Sequence, residues 1–329
     1  MEVGRLNAIT DVDGVGVGHS TMIEGDSIRT GVTAIVPHGG NLFEEKVVAA
    51  VDLFNAYGKS TGLPQVILDG VLETPIMLTE TLNTWKVADA VVDYHRDKMG
   101  LDFRSLNVVV GETNGKYLTD NLGRQVGKEQ VFEALDASRS PKGRGRIPEG
   151  NVGGGTPMTG YGFKGGIGTS SRVGDDFIVG ALVQLNCGTK EDLTIAGVPI
   201  GREIKLPKAE ASPGNSIMMI IATDISVDSR QLWKVAKRAA LGLARTGTYG
   251  SNCSGDFTIA FTTGKRPHRS LSDDFLDPVY KATVEAIEEA VINALFAAET
   301  MSGYEGHVRY ALPLNQVREI FGRYGRGLP

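Results

Sequence analysis

Apolar residues along this chain gather into short β-branched runs set off by glycine and proline, and into a few longer stretches with helical spacing. Ile9, Val12, Val15 and Val17 alternate with small and polar residues over 9–19, the period of an early strand. The run 29–37 is a buried strand closed by Pro37 and the turn His38-Gly39-Gly40-Asn41. Another apolar run lies at 47–51, and further strands are expected at 106–110, 177–186, 216–223 and 257–261. Helical spacing predicts a helix over 85–99 capped by Thr84, a short one over 130–137, and an alanine- and leucine-rich one over 229–244. The strongest helix runs from 277 to about 298 with Pro278 in its first turn, and 314–324 forms a short last one. The polar stretch 189–216, which holds Pro199, Pro207 and Pro213, reads as a surface excursion.

No repeat, low-complexity block or composition break divides the 329 residues, so one large domain with at least two sheets and several long helices is the simplest account. Composition alters that picture at one point. Glycine numbers 43, about twice the usual share, and clusters over 150–172, which predicts backbone packed closely on other backbone. That cluster lacks a Gly-x-Gly-x-x-Gly frame between strand and helix, and Lys164 precedes its glycines, so a wall near the site is expected rather than a phosphate loop.

Charge excludes more than it suggests. With 34 basic and 39 acidic residues the net charge is −5, and the one basic patch, Lys142 to Arg146, is short and glycine-spaced. No nucleic-acid footprint is expected. Two cysteines, Cys187 and Cys253, fit a reducing compartment rather than a disulfide framework. No secretory signal and no membrane helix is expected, and the expected location is the cytoplasm.

The candidate chemistry lies in Gly247-Thr248-Tyr249-Gly250-Ser251-Asn252-Cys253-Ser254-Gly255-Asp256, between a helix-like and a strand-like run. The five histidines, His19, His38, His95, His268 and His307, show no ligand spacing and read as surface or turn residues, with no metal expected. No Gly-x-Ser-x-Gly elbow occurs, because Tyr249 stands where its first glycine would be. A serine that carries its own free α-amino group needs no histidine, since that amine titrates at about 7.7–8.0 and can take the hydroxyl proton. Cutting Gly250–Ser251 would create one, and a glycine before the cut relieves crowding at the attacked carbonyl. The same pair is also what a plain turn before a strand looks like, and the residues alone leave both open.

Several motifs together resemble the self-processing N-terminal serine aminopeptidases, the L-aminopeptidase/D-Ala-esterase-amidases and β-peptidyl aminopeptidases. They are Ile9-Thr10-Asp11-Val12-Asp13-Gly14 continuing to His19, Gly111-Glu112-Thr113-Asn114, and the stretch from Gly150 to Arg172. Leu182 to Gly188, Gly250 to Asp256, and Glu288-Glu289-Ala290 complete the set, over nearly the full length.

The resemblance implies an α/β fold in which helices sandwich two packed sheets, a four-layer α-β-β-α arrangement of N-terminal-nucleophile type related to the ornithine acetyltransferase fold. It implies self-cleavage between Gly250 and Ser251 into chains 1–250 and 251–329, with Ser251 the nucleophile. Asn186 then matches an oxyanion-hole amide, Glu112 the carboxylate that receives the substrate's amino group, and Tyr117 a residue of the same pocket. Glu288 matches the glutamate that supports the nucleophile's amine. Ala286 and Ile287 depart from the family's hydroxyl residue before it, which leaves Glu285 and Glu289 as alternatives.

The implied substrates are short peptides, amides or esters with a free amino terminus. No cofactor, no nucleic acid and no membrane is implied, and a homo-oligomer is, with a tetramer of cleaved pairs the first expectation. Two alternatives stay open. One is an acyltransferase of the ornithine acetyltransferase type, which Ser251 in place of threonine counts against; the other is a non-catalytic ligand-binding relative.

Overall fold

The computed structural model describes residues 1–205, 215–265 and 272–328. After a 3-10 turn at Ile9–Asp11 the chain forms β1 (Gly16–Glu24), β2 (Ile28–Val36), β3 (Val47–Ala56), α1 (Leu63–Asp69), β4 (Val71–Leu72) and β5 (Ile76–Glu80). It continues through α2 (Thr84–Asp97), β6 (Val109–Thr113), α3 (Lys128–Arg139), the ribbon β7 (Thr159–Gly160) and β8 (Phe163–Lys164), then β9 (Gly166–Val173) and β10 (Ile178–Asn186). Next come α4 (Ile200–Glu203), β11 (Asn215–Thr223), α5 (Ser229–Ala236), α6 (Ala239–Arg245) and β12 (Ser254–Thr262). The long α7 (Leu276–Phe296), a small ribbon β13 (Met301–Ser302) and β14 (Val308–Arg309), and α8 (Leu314–Arg323) close the chain.

Two sheets carry the fold. The smaller runs β1-β2-β5-β6 and the larger β4-β3-β12-β11-β10-β9. Pairing is antiparallel except for β5 with β6 and β11 with β12. Strand alternation divides the apolar side chains between layers. Ile76, Leu78 and Val109 of the smaller sheet meet Leu182, Met218, Ile220, Ile259 and Phe261 of the larger one in a core between the sheets. Val32, Met77 and Val110 face outward onto α2 and α3. Ile217, Met219, Ile221 and Ala260 face the opposite way, onto α5, α6, α7 and α8. The result is the expected four-layer sandwich of helix, sheet, sheet and helix.

The glycine cluster is explained by close approach. A Cβ on Gly168 would stand 2.0 Å from the Ala290 carbonyl oxygen, so α7 lies directly on β9. Lys164 is buried inside this wall, its Nζ donating to the carbonyls of Gly155, Met158 and Gly165 at 3.2, 3.0 and 2.7 Å.

Four expectations shift. The early strand starts at Gly16, because Ile9–Asp11 coil into a 3-10 turn whose backbone is tied by Asp11. The strand expected over 106–110 sits at Val109–Thr113, which brings Glu112 into the strand rather than after it. The helix over 229–244 is two helices, and neither glycine nor proline marks the break at Lys237–Arg238. The break lets α5 lie on β3 and β12 while α6 follows α7. The stretch 189–216 is no mere surface excursion: Leu193, Ile195, Val198 and Ile200 are buried in the helix-side core. Pro207 and Pro213 of that stretch lie outside the described residues.

Candidate active site

Gly250 and Ser251 lie in the turn between α6 and β12. The turn is tight: Gly250 has φ +64° and Cys253 φ +63°, both in the left-handed region. The Ser251 hydroxyl accepts a hydrogen bond from Asn215 Nδ2 at 2.9 Å. From β3, Asn55 Nδ2 reaches the carbonyl oxygen of Gly250 at 3.2 Å, that of Ser251 at 3.4 Å and Asp256 Oδ2 at 2.9 Å.

Asn186, the last residue of β10, is oriented from both sides. Its Oδ1 accepts from the Thr159 N–H at 2.8 Å and its Nδ2 donates to the Asn114 carbonyl at 3.0 Å. A donor on one side and an acceptor on the other fix which end is nitrogen, and one of the two Nδ2 hydrogens is left over. The register partner of Asn186 is Ser216, whose own partner on β12 is Gly255. The Gly255 N–H donates to Ser216 Oγ at 3.1 Å. Ser216 shares the inter-sheet face with Met218 and Ile220, whereas Asn215 shares the helix-side face with Ile217. Asn186 is therefore one strand spacing, about 4.8 Å, from Ser216. Ser251 is reached from the other face, through Asn215.

Glu112 belongs to the same end of the sandwich. It is buried, and its Oε1 accepts from the Lys59 N–H at 2.8 Å. A Cβ on Gly58 would stand 3.1 Å from that oxygen and 2.6 Å from the Phe257 ring. The segment 57–59 thus bridges Glu112 to the start of β12, where the Tyr57 N–H donates to the Ser254 carbonyl at 3.1 Å. Tyr117 is held between the His307 ring, stacked with centroids 4.4 Å apart, and the Arg309 guanidinium 3.5 Å over its face. Arg309 Nε donates to Thr159 Oγ1 at 3.3 Å, so Tyr117 is linked to the residue that orients Asn186.

Glu288 is not joined to either serine. It sits in the middle of α7 on the outer helical layer and pairs with Arg245 at 3.0 Å. Its neighbours are engaged elsewhere: Glu285 with the terminal amine and Arg172, Glu289 with Asn7 and Arg172. The histidines also depart from a uniform surface reading. His95 is buried in α2 with Nδ1 against the Val91 carbonyl at 2.8 Å. His19 lies in β1 against Thr33, and burial drops its pKa to about 4. His268 lies outside the described residues.

The carboxylate that does sit beside the serines is Asp256, which sequence reasoning passed over. It is 1% exposed. Ser254 Oγ donates to its Oδ1 at 2.6 Å, Asn55 to its Oδ2 at 2.9 Å, and the backbone N–H of Ile217, the residue after Ser216, also points at it. Burial raises its pKa above the ordinary carboxylate value, and these donors pull it part of the way back. Ser216 was missed as well, although the sequence holds its signal. Gly214-Asn215-Ser216 before the apolar run 217–222 puts a serine after turn-forming residues at the head of a strand, much as Gly250-Ser251 stands shortly before β12. Asn186, Ser216, Gly255 and Glu112 together supply an amide donor, a hydroxyl, a backbone N–H and a carboxylate at one end of the sandwich, a set suited to acyl transfer on a substrate bearing an ammonium.

Comparison with known proteins agrees with this chemistry. The model of peptidase family S58 matches residues 7–309. The beta-peptidyl aminopeptidase BapA of Sphingosinicella xenopeptidilytica is 40% identical, over 96% of this chain and 87% of its own. Among solved structures, the PH0078 protein of Pyrococcus horikoshii OT3 superposes with a TM-score of 0.92 at 46% identity, covering 99% of this chain and 96% of that one. The L-aminopeptidase D-Ala-esterase/amidase of Ochrobactrum anthropi, described as a prototype serine aminopeptidase and a variant of the Ntn hydrolase fold, gives 0.88 at 38% identity. That match covers 99% of this chain and 96% of the other.

Proposed function

The chain belongs to peptidase family S58 and is an enzyme of the aminopeptidase/amidase class, and on that premise we propose that Ser216, freed by self-cleavage of Asn215–Ser216, is its nucleophile. The observation that carries this reading is the register of Asn186 with Ser216, with the Gly255 N–H already on the Ser216 hydroxyl at 3.1 Å. In the precursor, Ser216 Oγ attacks the Asn215 carbonyl carbon, the peptide C–N bond breaks, and the hydroxyl proton ends on the released amine. Water then hydrolyses the ester, leaving a carboxylate on Asn215 and restoring the Ser216 hydroxyl.

In the mature enzyme the Ser216 α-amine, with an ordinary pKa of about 7.7–8.0, takes the hydroxyl proton as Oγ attacks a substrate carbonyl, and returns it to the leaving group. The spare Nδ2 hydrogen of Asn186 receives the oxyanion. Asp256, backed by Ser254, is the buried carboxylate positioned to hold that amine, in the role expected of Glu288. Glu112 receives the substrate's ammonium, which makes the enzyme an exopeptidase on the amino-terminal side. Substrates are short peptides, amides or esters with a free amino end. The names of the relatives extend this to β-amino acyl and D-alanyl compounds.

A second reading keeps Ser251 as nucleophile, and one observation favours it: Asn55 Nδ2 lies 3.2 Å from the Gly250 carbonyl oxygen, as an oxyanion donor would. Intact-mass analysis of aged protein separates the two. Ser216 predicts fragments of 215 and 114 residues, and Ser251 predicts 250 and 79. Ser216→Ala should give an uncut, inactive chain; a fully active Ser216→Ala enzyme refutes the first reading. N-acetylated substrates should resist hydrolysis if Glu112 binds an ammonium. Assembly into an oligomer of cleaved pairs, with the tetramer first, and a cytoplasmic location complete the proposal.

A further inference from the structure

Asn215 is the residue whose carbonyl Ser216 must attack. Its backbone begins β11, but its side chain points away from Ser216, to the helix-side face, and ends on Ser251 Oγ at 2.9 Å. Ser251 is held in turn. A Cβ on Gly250 would stand 2.2 Å from the Phe54 ring, and the left-handed backbone at Gly250 and Cys253 folds the turn back toward β3. Asn55 stands where the β3–β12 register slips between Asp256 and Phe257, and its amide spans the Gly250 and Ser251 carbonyls and the Asp256 carboxylate. Two amide hydrogens serve three acceptors, so one of them is shared.

We propose that Ser251, seated by Asn55, is a maturation clamp: it grips the side chain of Asn215 and so presents the Asn215–Ser216 peptide to the Ser216 hydroxyl. The proposal rests on the Ser216 reading. Self-cleavage is an intramolecular attack, and its rate depends on how narrowly the attacked carbonyl is oriented toward the hydroxyl. Residue 215 has no side-chain anchor on the inter-sheet face, where Ser216 and Asn186 lie. A hydrogen bond on the opposite face therefore limits rotation of its peptide while leaving the attacked side open. Ser251 here is a positioning residue; it touches neither the attacked carbon nor the leaving amine.

A double-mutant cycle on freshly synthesised precursor tests the clamp, with the 215- and 114-residue fragments followed by intact mass against time. Ser251→Ala and Asn215→Ala each delete the same hydrogen bond from opposite ends, and each should slow the cut about fivefold. The double variant should be no slower than either single one, and Ser251→Thr, which restores a hydroxyl, should recover most of the rate. Effects that multiply to about twenty-five-fold, or Ser251→Ala cutting after residue 215 at the wild-type rate, overturn the clamp and leave the Ser216 reading standing. Wild-type fragments of 250 and 79 residues, with no cut at all in Ser251→Ala, overturn that reading and the clamp with it. Thermal unfolding of the same substitutions on a Ser216→Ala background, where nothing is cut, shows whether the fold is intact. If Ser251→Ala does not fold, Asn215→Ala with Ser251→Thr carries the test alone.

Discussion

Replacing Asn186 by alanine separates the energetic role of its amide from its chemical one. The side chain makes two hydrogen bonds, from the Thr159 N–H at 2.8 Å and to the Asn114 carbonyl at 3.0 Å. Asn114 is exposed, so water can take over its carbonyl, but Thr159 is buried and its N–H would lose its acceptor. A buried donor left unsatisfied costs about 1–3 kcal/mol, so the Asn186→Ala precursor should lose that much unfolding free energy, read as a lower urea midpoint at unchanged m. Loss of an oxyanion donor costs more, roughly 2.7–4 kcal/mol or about 10²–10³ in kcat. On the Ser216 reading, self-cleavage builds the same kind of oxyanion on the Asn215 carbonyl, so the cut should slow by a similar factor. Asn186→Asp sharpens the test, because a carboxylate still accepts from Thr159 and has no N–H to donate. Chromogenic aminoacyl anilides give kcat, and intact mass gives the extent of cutting. A variant that matures normally and keeps kcat within about tenfold of wild type would refute the oxyanion role.

Glu80 should make stability fall as pH rises. Burial, with smaller help from the nearby Glu112 carboxylate, lifts its pKa from 4.5 to about 8, against donors that pull the other way. Between those values the folded chain holds a proton that the unfolded chain has released, so stability drops by up to about 1.4 kcal/mol per pH unit. Glu80→Gln should flatten that slope in urea titrations, and an unchanged slope would count against it. His19 acts with the opposite sign: its folded pKa of about 4 lies below 6.5, so stability is lost as pH falls through that window, in Glu80→Gln as in wild type. Gly168→Ala should lower stability by about 1–3 kcal/mol, because the new methyl meets the Ala290 carbonyl at 2.0 Å and must push α7 off β9; an unchanged melting temperature would contradict this packing. Asp256→Asn should lower kcat and remove an acid limb that lies above the ordinary carboxylate range; a retained limb would assign it to another group.

Most of the sandwich was legible because its strands are buried on both faces and read as continuous apolar runs, as in 217–222, and because α7 opens on Asp277-Pro278. What was not legible has identifiable causes. The break between α5 and α6 follows from what each helix packs on, and no residue at Lys237–Arg238 announces it. The slide of β6 to Val109–Thr113 comes from parallel pairing with β5, which local β-propensity over 106–110 does not contain. Glu112 and Asn186 were singled out by the family resemblance, and the structure places both at strand ends, in β6 and β10. Glu288 came from the same resemblance with a departure already visible at Ala286 and Ile287, and the packing of α7 turns it toward Arg245 on the outer layer.

The two serines show why a nucleophile of this kind is hard to name from sequence. Both follow a small or turn-forming residue and both lie at or near the head of a central strand, so local pattern does not rank them. Strand alternation does. On β11 a shift of one residue exchanges the inter-sheet face for the helix-side face, which is why Ser216 meets Asn186 and Gly255 while its neighbour Asn215 meets Ser251. A serine that must attack its own preceding carbonyl, and afterwards a substrate's, needs its hydroxyl on the face that holds the oxyanion donor and the ammonium-binding carboxylate. Asn186 lies on that face, and the segment 57–59 links the Glu112 carboxylate to the head of β12 at the same end of the sandwich. On the Ser216 reading, Ser251 faces the back of residue 215 instead, where its hydroxyl holds the peptide and has no acyl group to receive. The same Gly-Ser turn that drew attention in the sequence thus acquires a role one strand away from the reaction, and the position of the cut, after residue 215 or after residue 250, decides between holding the peptide and attacking it.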